Sequence, residues 1–125
     1  MTGLTLDAGA LIAVDRGDRS FLALLGRAAE RGDRITIPTT ALAQAMRSPV
    51  RQVRLVRLCR DRTTDLVPLD GADATAVGLL LAATRTTDVV DAHVVVCARR
   101  AGQSVITSDP RDIRRLAPDV VSIKV

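Results

Sequence analysis

Aspartate is the residue type in this sequence that could do chemistry, because thirteen of the fourteen carboxylates are Asp and only Glu30 is a glutamate. Asp7 directly follows the apolar run 4–6, and Asp109 comes just after the apolar run 104–107. Carboxylates at the ends of apolar runs suit general acid–base catalysis or the binding of a hard metal ion.

Two closely spaced pairs extend this set. Asp88 and Asp91 lie three residues apart at the start of the apolar segment 89–101, and Asp112 lies three residues after Asp109. A spacing of three places both members of a pair on one face of a helix.

The elements that must position these residues alternate between strand and helix patterns. The expected strands cover residues 4–6, 35–37, 66–69, 104–107 and 120–125. The expected helices cover residues 8–14, 20–30, 38–46, 48–60, 70–83 and 89–101, with a short last helix opened by Asp109-Pro110. This alternation favours an α/β fold with a parallel sheet covered on both faces. Ligands of such sheets bind beyond the carboxyl ends of the strands, where we expect Asp7 and Asp109.

Carboxylates gathered at one edge repel each other and resist joint ionisation. Mg²⁺ relieves that repulsion, because it prefers carboxylate and water oxygens. Each aspartate also has a simpler interpretation: Asp7, Asp88 and Asp109 could be helix N-caps, and Asp112 could complete a capping arrangement. Asp91 fits that interpretation least, since it lies inside a nearly all-apolar helix. Taken together, the aspartates favour a metal site.

Other polar residues give weaker signals. His93 is expected to be a packed core residue, and Cys59 and Cys97 are expected to fill the core. The hydroxyls of Thr107 and Ser108, beside Asp109, could contact a phosphate, orient ligands, or satisfy the backbone at the strand end.

The helix expected over residues 48–60 has two different faces. One is an apolar stripe made of Val50, Val53, Val56 and Cys59. The other carries arginines that could bind RNA or a partner protein, or could simply be solvated: Arg47, Arg51, Arg54 and Arg62.

Composition excludes several classes of function. One aromatic residue in 125 cannot form a base-stacking platform, and two Cys with one His cannot supply a zinc site of the usual kind. The net charge of +4 favours an anionic partner such as nucleic acid. Length predicts a single domain over residues 1–125. The lack of a long apolar segment, an export leader or paired cysteines predicts a cytoplasmic protein without a membrane association.

Three motifs together resemble the PIN-domain family, most closely its VapC-type toxins. They are L-T-L-D-A-G-A-L-I at the start, D-V-V-D-A-H-V-V-V-C-A-R-R-A-G in the third quarter, and V-I-T-S-D-P-R-D-I near the end. The resemblance implies a three-layer α/β/α sandwich with a five-stranded parallel sheet. It also implies Mg²⁺- or Mn²⁺-dependent endoribonuclease activity, dimerisation, and neutralisation by a cognate antitoxin.

The resemblance carries over to individual residues. The family's first, third and fourth acidic positions correspond to Asp7, Asp91 and Asp109, and Asp112 matches a position that is acidic in part of the family. The family usually has a Glu in the helix after the second strand, where this chain has Gln44. A neutral amide accepts a hydrogen bond from metal-bound water but adds no negative charge, so metal affinity is expected to fall.

Two functions follow from these observations. The first is a metal-dependent endoribonuclease that hydrolyses RNA phosphodiester bonds, with Asp7, Asp91 and Asp109 as metal ligands and Gln44, Asp88, Thr107, Ser108 and Asp112 as auxiliary residues. The second is a degenerate PIN module that binds RNA or a partner protein without cleavage.

Overall fold

The computed structural model describes residues 3–125, and its strands form one five-stranded sheet. The strands are β1 (Gly3–Leu6), β2 (Arg34–Pro38), β3 (Thr64–Val67), β4 (Ser104–Thr107) and β5 (Ser122–Lys124). The helices are α1 (Ala8–Arg16), α2 (Arg19–Glu30), α3 (Thr39–Ala45), α4 (Val53–Arg60), α5 (Gly71–Thr84), α6 (Val89–Ala101) and α7 (Pro110–Leu116).

The sheet is parallel throughout, with the order β3-β2-β1-β4-β5. The chain leaves β1 towards β2 and β3, and it leaves β4 in the opposite direction towards β5. Because crossovers between parallel strands are right-handed, this reversal puts helices on both faces of the sheet. The predicted three-layer α/β/α sandwich with a five-stranded parallel sheet is therefore confirmed. The reversal also makes the gap between β1 and β4 the switch point of the fold.

Strands β1 and β4 are almost entirely buried because both faces of the sheet are covered there. All four residues of β1 are buried, and Val105, Ile106 and Thr107 of β4 are at most 1% exposed. The strands pair in the register Leu6 with Ile106, and the Asp7 amide donates to the Ile106 carbonyl at 3.1 Å. Asp7 is thus tied to the neighbouring strand at the carboxyl edge of the sheet.

Aspartate begins five of the seven helices described. In each case the side chain accepts a hydrogen bond from a backbone amide of the first turn, which satisfies one of the free N–H groups there. The five N-caps are Asp7, Asp18, Asp70, Asp88 and Asp109. Capping therefore accounts for much of the preference for Asp over Glu, whose longer side chain suits this position less well.

The structure corrects several predicted boundaries. Helix α2 begins at Arg19, one residue earlier than predicted, because the Asp18 carboxylate caps it by accepting from the Phe21 amide at 2.9 Å. The predicted bounds of both edge strands are also wrong: β3 starts two residues earlier than predicted and excludes Pro68, and β5 is confined to Ser122–Lys124. Proline has no N–H for the ladder, so it lies beyond the end of β3.

The region before α4 differs most from the sequence prediction. Helix α4 begins at Val53, because the Gln52 side chain accepts from the amides of Arg47 and Ser48 and holds the preceding residues in a turn. Val50 lies outside the helix and is 87% exposed, so the predicted apolar stripe is wrong, and Leu55 is the buried residue of α4. The four arginines named in this region are exposed, as expected: Arg47, Arg51, Arg54 and Arg62.

Within residues 3–125, no helix combines the length and the apolar character needed to cross a membrane.

Candidate functional site

Asp7 lies at the carboxyl end of β1, where the strand passes directly into α1. It is only 6% exposed, and its Oδ1 accepts from the Ala10 amide at 2.8 Å. Burial raises the pKa of this carboxyl; hydrogen bonds, first from the Thr107 side chain and then from backbone amides, lower it, and the charge of Asp109 raises it slightly. Asp7 is thus a buried carboxylate with a fixed orientation.

Thr107 connects Asp7 to Asp109. It ends β4 and is 1% exposed. Its hydroxyl donates to the Asp7 carboxylate and accepts from the Asp109 amide at 3.0 Å. One hydroxyl therefore orients the Asp7 side chain at one strand end and satisfies the backbone at the next, so two of the three interpretations from the sequence hold together, and contact of this hydroxyl with a phosphate stays a prediction.

Ser108 is exposed and lies against the first turn of α1. A Cβ added to Gly9 would collide with the Ser108 side chain, so glycine lets α1 approach the loop after β4 this closely. Gly9 therefore helps to bring the ends of β1 and β4 together.

Asp91 lies in the first turn of α6 and is the most perturbed carboxyl of the group. Its pKa is raised to about 6, first by burial and then by the charges of four other carboxylates. In order of effect, these are Asp88, Asp112, Asp7 and Asp109. The fold therefore brings together all five aspartates singled out from the sequence, from three different segments of the chain: residue 7, residues 88–91 and residues 109–112.

Three of these carboxylates also begin or support helices at this edge. Asp88 caps α6 by accepting from the Asp91 amide at 2.9 Å, and Asp109 caps α7 by accepting from the Arg111 amide at 3.1 Å. Asp112 is exposed in the first turn of α7. Capping and clustering are therefore compatible, and the two interpretations considered from the sequence do not exclude each other.

This group of carboxylates fits a hard divalent cation. Its donors are all carboxylate oxygens, and burial together with the charges of the neighbouring carboxylates raises the pKa of Asp91, so a bound cation would relieve the repulsion that remains. A cavity of about 320 Å³ adjoins the group and is lined in part by Asp88, Asp91 and Asp112. The site therefore has both the chemistry for a cation and adjacent space for a ligand.

Gln44 is exposed in the last turn of α3. Helix α3 packs against α1, which begins at Asp7, and against α6, which carries Asp91. The Gln44 amide therefore lies on a helix next to both carboxylate-bearing elements but makes no side-chain hydrogen bond within the described part of the chain.

A second polar cluster lies between α5 and α6. Buried Asp73 accepts two hydrogen bonds from the Arg100 guanidinium, both at 2.8 Å, and lies 3.2 Å from the His93 Nε2. The other ring nitrogen of His93 is 2.7 Å from the Thr40 hydroxyl on α3. His93 is fully buried, as the sequence predicts, but it links three helices through hydrogen bonds.

Asp73, His93 and Cys97 bring possible metal-ligand atoms within 4.8 Å of one another. Arg100 already supplies the positive charge there: hydrogen bonding from its guanidinium is the largest cause of the lowered pKa of Asp73. Burial also raises the pKa of the Cys97 thiol to about 11, which disfavours the thiolate that a metal requires. We therefore interpret this cluster as structural.

Sequence reasoning missed Asp73 and Arg100. A usable signal was present, because His93, Cys97 and Arg100 follow one another at intervals of four and three residues and so share one face of α6. The partner of that face, on α5, could not be identified without the packing of the helices.

Comparisons with known proteins agree with this fold. The family model of the PIN domain matches residues 4–118. No curated protein sequence matches the chain. Among solved structures, VapBC2 from Rickettsia felis bound to a promoter DNA fragment is similar, with a TM-score of 0.69, 14% identity, and 98% of each chain covered. FitAcB from Neisseria gonorrhoeae is similar with a TM-score of 0.67, 12% identity, and coverage of 97% of this chain and 96% of that one.

Proposed function

The chain belongs to the PIN domain family, and from that premise we propose that it is a Mg²⁺- or Mn²⁺-dependent endoribonuclease and the toxin of a toxin–antitoxin pair. The observation that supports this most directly is the cluster of five carboxylates that includes Asp7 and Asp109 at the ends of β1 and β4, where burial and the neighbouring charges raise the pKa of Asp91 to about 6. PIN domains are generally nucleases, and a carboxylate group of this kind suits a phosphodiester-cleaving site.

In this proposal Asp7, Asp91 and Asp109 hold the metal ion, with Asp88 and Asp112 adding negative charge around it. When bound, such an ion supplies an activated water and stabilises charge on a phosphoryl oxygen. The Thr107 hydroxyl keeps the Asp7 carboxylate fixed, and the Asp109 backbone is held by the same hydroxyl. A preset geometry of this kind reduces the reorganisation needed when substrate binds.

The direct test is cleavage of single-stranded RNA by the purified wild-type protein. We expect internal cuts in the presence of Mg²⁺ or Mn²⁺ and none after the metal is removed with EDTA, with activity restored when Mn²⁺ is added back. Cleavage that continues in EDTA would contradict the proposed mechanism. Tight RNA binding without cleavage in either metal would instead favour the non-cleaving PIN module.

Gln44 is the observation that favours this second candidate, because a neutral amide replaces the Glu usual in the family. Gln44→Glu is expected to tighten Mn²⁺ binding about tenfold, since one added carboxylate near a divalent ion contributes at least about 1.4 kcal/mol. Mn²⁺ affinity is measured by calorimetry.

Ala43→Glu is the matched control, because it adds the same charge at the neighbouring exposed position of α3. If both variants bind Mn²⁺ equally well, then position 44 does not face the metal, and the absence of the Glu does not explain any weak activity.

The proposal includes an antitoxin partner and a homodimer. Support for the antitoxin comes from the likeness to VapBC2 and FitAcB. The homodimer rests on the resemblance to the VapC-type toxins.

A further inference from the structure

The cavity beside the carboxylates has a cationic side that the metal chemistry does not use. Besides Asp88, Asp91 and Asp112, its lining includes the guanidinium-bearing residues Arg85 and Arg115. The two arginines come from different elements, Arg85 from the end of α5 and Arg115 from α7. The cavity therefore has negative and positive groups side by side.

Neither arginine is used to hold the fold together. In the described part of the chain, the arginines with carboxylate partners are Arg31, Arg34, Arg99, Arg100 and Arg111. Arg85 and Arg115 are exposed and form no ion pair there, although three carboxylates line the same cavity. Their guanidinium groups are therefore available to an anion in the cavity.

The backbone at Arg85 also distinguishes this position. Arg85 ends α5 in the left-handed conformation, with φ 56° and ψ 43°, and is the sole non-glycine residue with positive φ in the described range. Glycine usually occupies such a helix end, because a residue with a Cβ is strained in the left-handed conformation. The chain thus has a charged side chain at a position where the backbone conformation favours glycine.

A cluster of carboxylates that cleaves RNA must hold the RNA polyanion close to the negative charge of the cluster. Arginine suits this task, because its planar guanidinium donates paired hydrogen bonds to phosphate oxygens. We propose that Arg85 and Arg115 form a phosphate clamp that binds the RNA backbone on either side of the phosphodiester presented to the carboxylates. This inference rests on the proposed function and adds the residues that position its substrate.

The test uses the double variant Arg85→Gln/Arg115→Gln and measures binding of a single-stranded RNA by fluorescence anisotropy in EDTA at several salt concentrations. We expect the Kd to rise at least tenfold near 0.1 M salt. The slope of log affinity against log salt is expected to become shallower by about 1.4, since each lost contact with a single strand contributes about 0.7.

The matched control is Arg27→Gln/Arg114→Gln, which removes the same charge from exposed arginines that do not line the cavity. A control that weakens binding as much as the clamp variant would overturn the proposal, because net charge alone would then explain the loss. Wild-type protein that does not bind RNA would overturn it as well.

Two further measurements separate the clamp from the fold and from the metal site. Arg85→Gly suits the left-handed backbone, so we expect this variant to keep at least the wild-type Tm while still binding RNA more weakly. Wild-type RNA affinity in this variant, or a loss of affinity accompanied by a fall in Tm, would contradict the clamp. Mn²⁺ affinity of the double variant should not decrease. RNA binding that depends on both arginines in a protein that never cleaves RNA would refute the endoribonuclease and leave the clamp supported.

Discussion

Asp91→Asn is expected to lower metal-dependent RNA cleavage by at least about a thousandfold while making the metal-free protein more stable. The loss of cleavage follows from removing a proposed metal ligand. The gain in stability follows from the raised pKa of Asp91, because at neutral pH folding partly buries this ionised carboxylate and brings it close to four others. Activity therefore falls and stability rises when the same carboxylate is removed.

The pH dependence gives the sign of the stability change. The pKa of an Asp carboxyl is ordinarily 3.8 and that of Asp91 in the folded protein is about 6, so between these values the folded protein binds more protons than the unfolded chain. The contribution of Asp91 to the stability of the metal-free wild type therefore decreases as pH rises from about 4 to about 6 and stays low above that range. A rise of this size in the pKa corresponds to about 3 kcal/mol, and partial exposure to solvent reduces this to about 1–2 kcal/mol.

The measurement is urea unfolding of both proteins at several pH values, with and without Mg²⁺. Mg²⁺ should stabilise the wild type at pH 7–8 and have little effect on Asp91→Asn. Asp119→Asn, at an exposed position outside the carboxylate group, is the control and should respond to Mg²⁺ as the wild type does. Unchanged cleavage by the Asp91→Asn and Asp7→Asn variants would refute the assigned site.

The second large effect is expected for Asp73→Ala, which should destabilise the protein by about 3 kcal/mol without touching the proposed site. Asp73 is 2% exposed and accepts from Arg100 twice and from the neighbouring His93 ring. Its removal leaves the fully buried His93 ring without this partner, while the half-exposed Arg100 can turn towards water. The lost pairing of the buried His93 ring is therefore the main cost.

The pH dependence here has the opposite sign to that of Asp91. The pKa of Asp73 is lowered, mainly by the Arg100 hydrogen bonds, so its contribution to stability is present above its unfolded value and is lost as pH falls below about 4. Asp73→Ala should therefore flatten the decrease in stability at acid pH.

Asp119→Ala provides a matched control for the ion pair. Asp119 also accepts two hydrogen bonds from one arginine, Arg99, at 2.6 and 3.0 Å, but it does so at an exposed position. Since solvent screens such pairs, its removal should change the midpoint of urea unfolding little. Equal effects of the two substitutions would show that the buried network contributes no more than a surface pair.

The central part of the fold could be predicted from the sequence, but its edges could not. Strands β1 and β4 are buried on both faces and contain short apolar runs, so the sequence pattern places Asp7 and Asp109 at their ends. The edge strands β3 and β5 are mostly exposed and lack such a pattern, which is why their predicted bounds are wrong. The start of α4 depends on the Gln52 side chain, whose contacts no periodicity reveals.

The proximity of the five carboxylates could be expected from spacing and topology, whereas the Asp73 network and the phosphate clamp depend on how helices pack. Arg85 and Arg115 are thirty residues apart and belong to different helices, so the sequence gives no reason to pair them. Only the packing of α5, α6 and α7 shows that both arginines line the same cavity.

Three helix N-termini meet at the carboxylate edge, because Asp7, Asp88 and Asp109 each cap the helix that starts there. The aligned peptide dipoles of α1, α6 and α7 therefore place partial positive charge next to the carboxylates and offset part of their repulsion. Gln44 lies at the opposite kind of position, in the last turn of α3, where the helix dipole is negative. The negative charge of a Glu at that position would be repelled by the dipole of α3. The neutral Gln44 amide therefore avoids a carboxylate that, unlike those of Asp7, Asp88 and Asp109, would not be stabilised by a helix N-terminus.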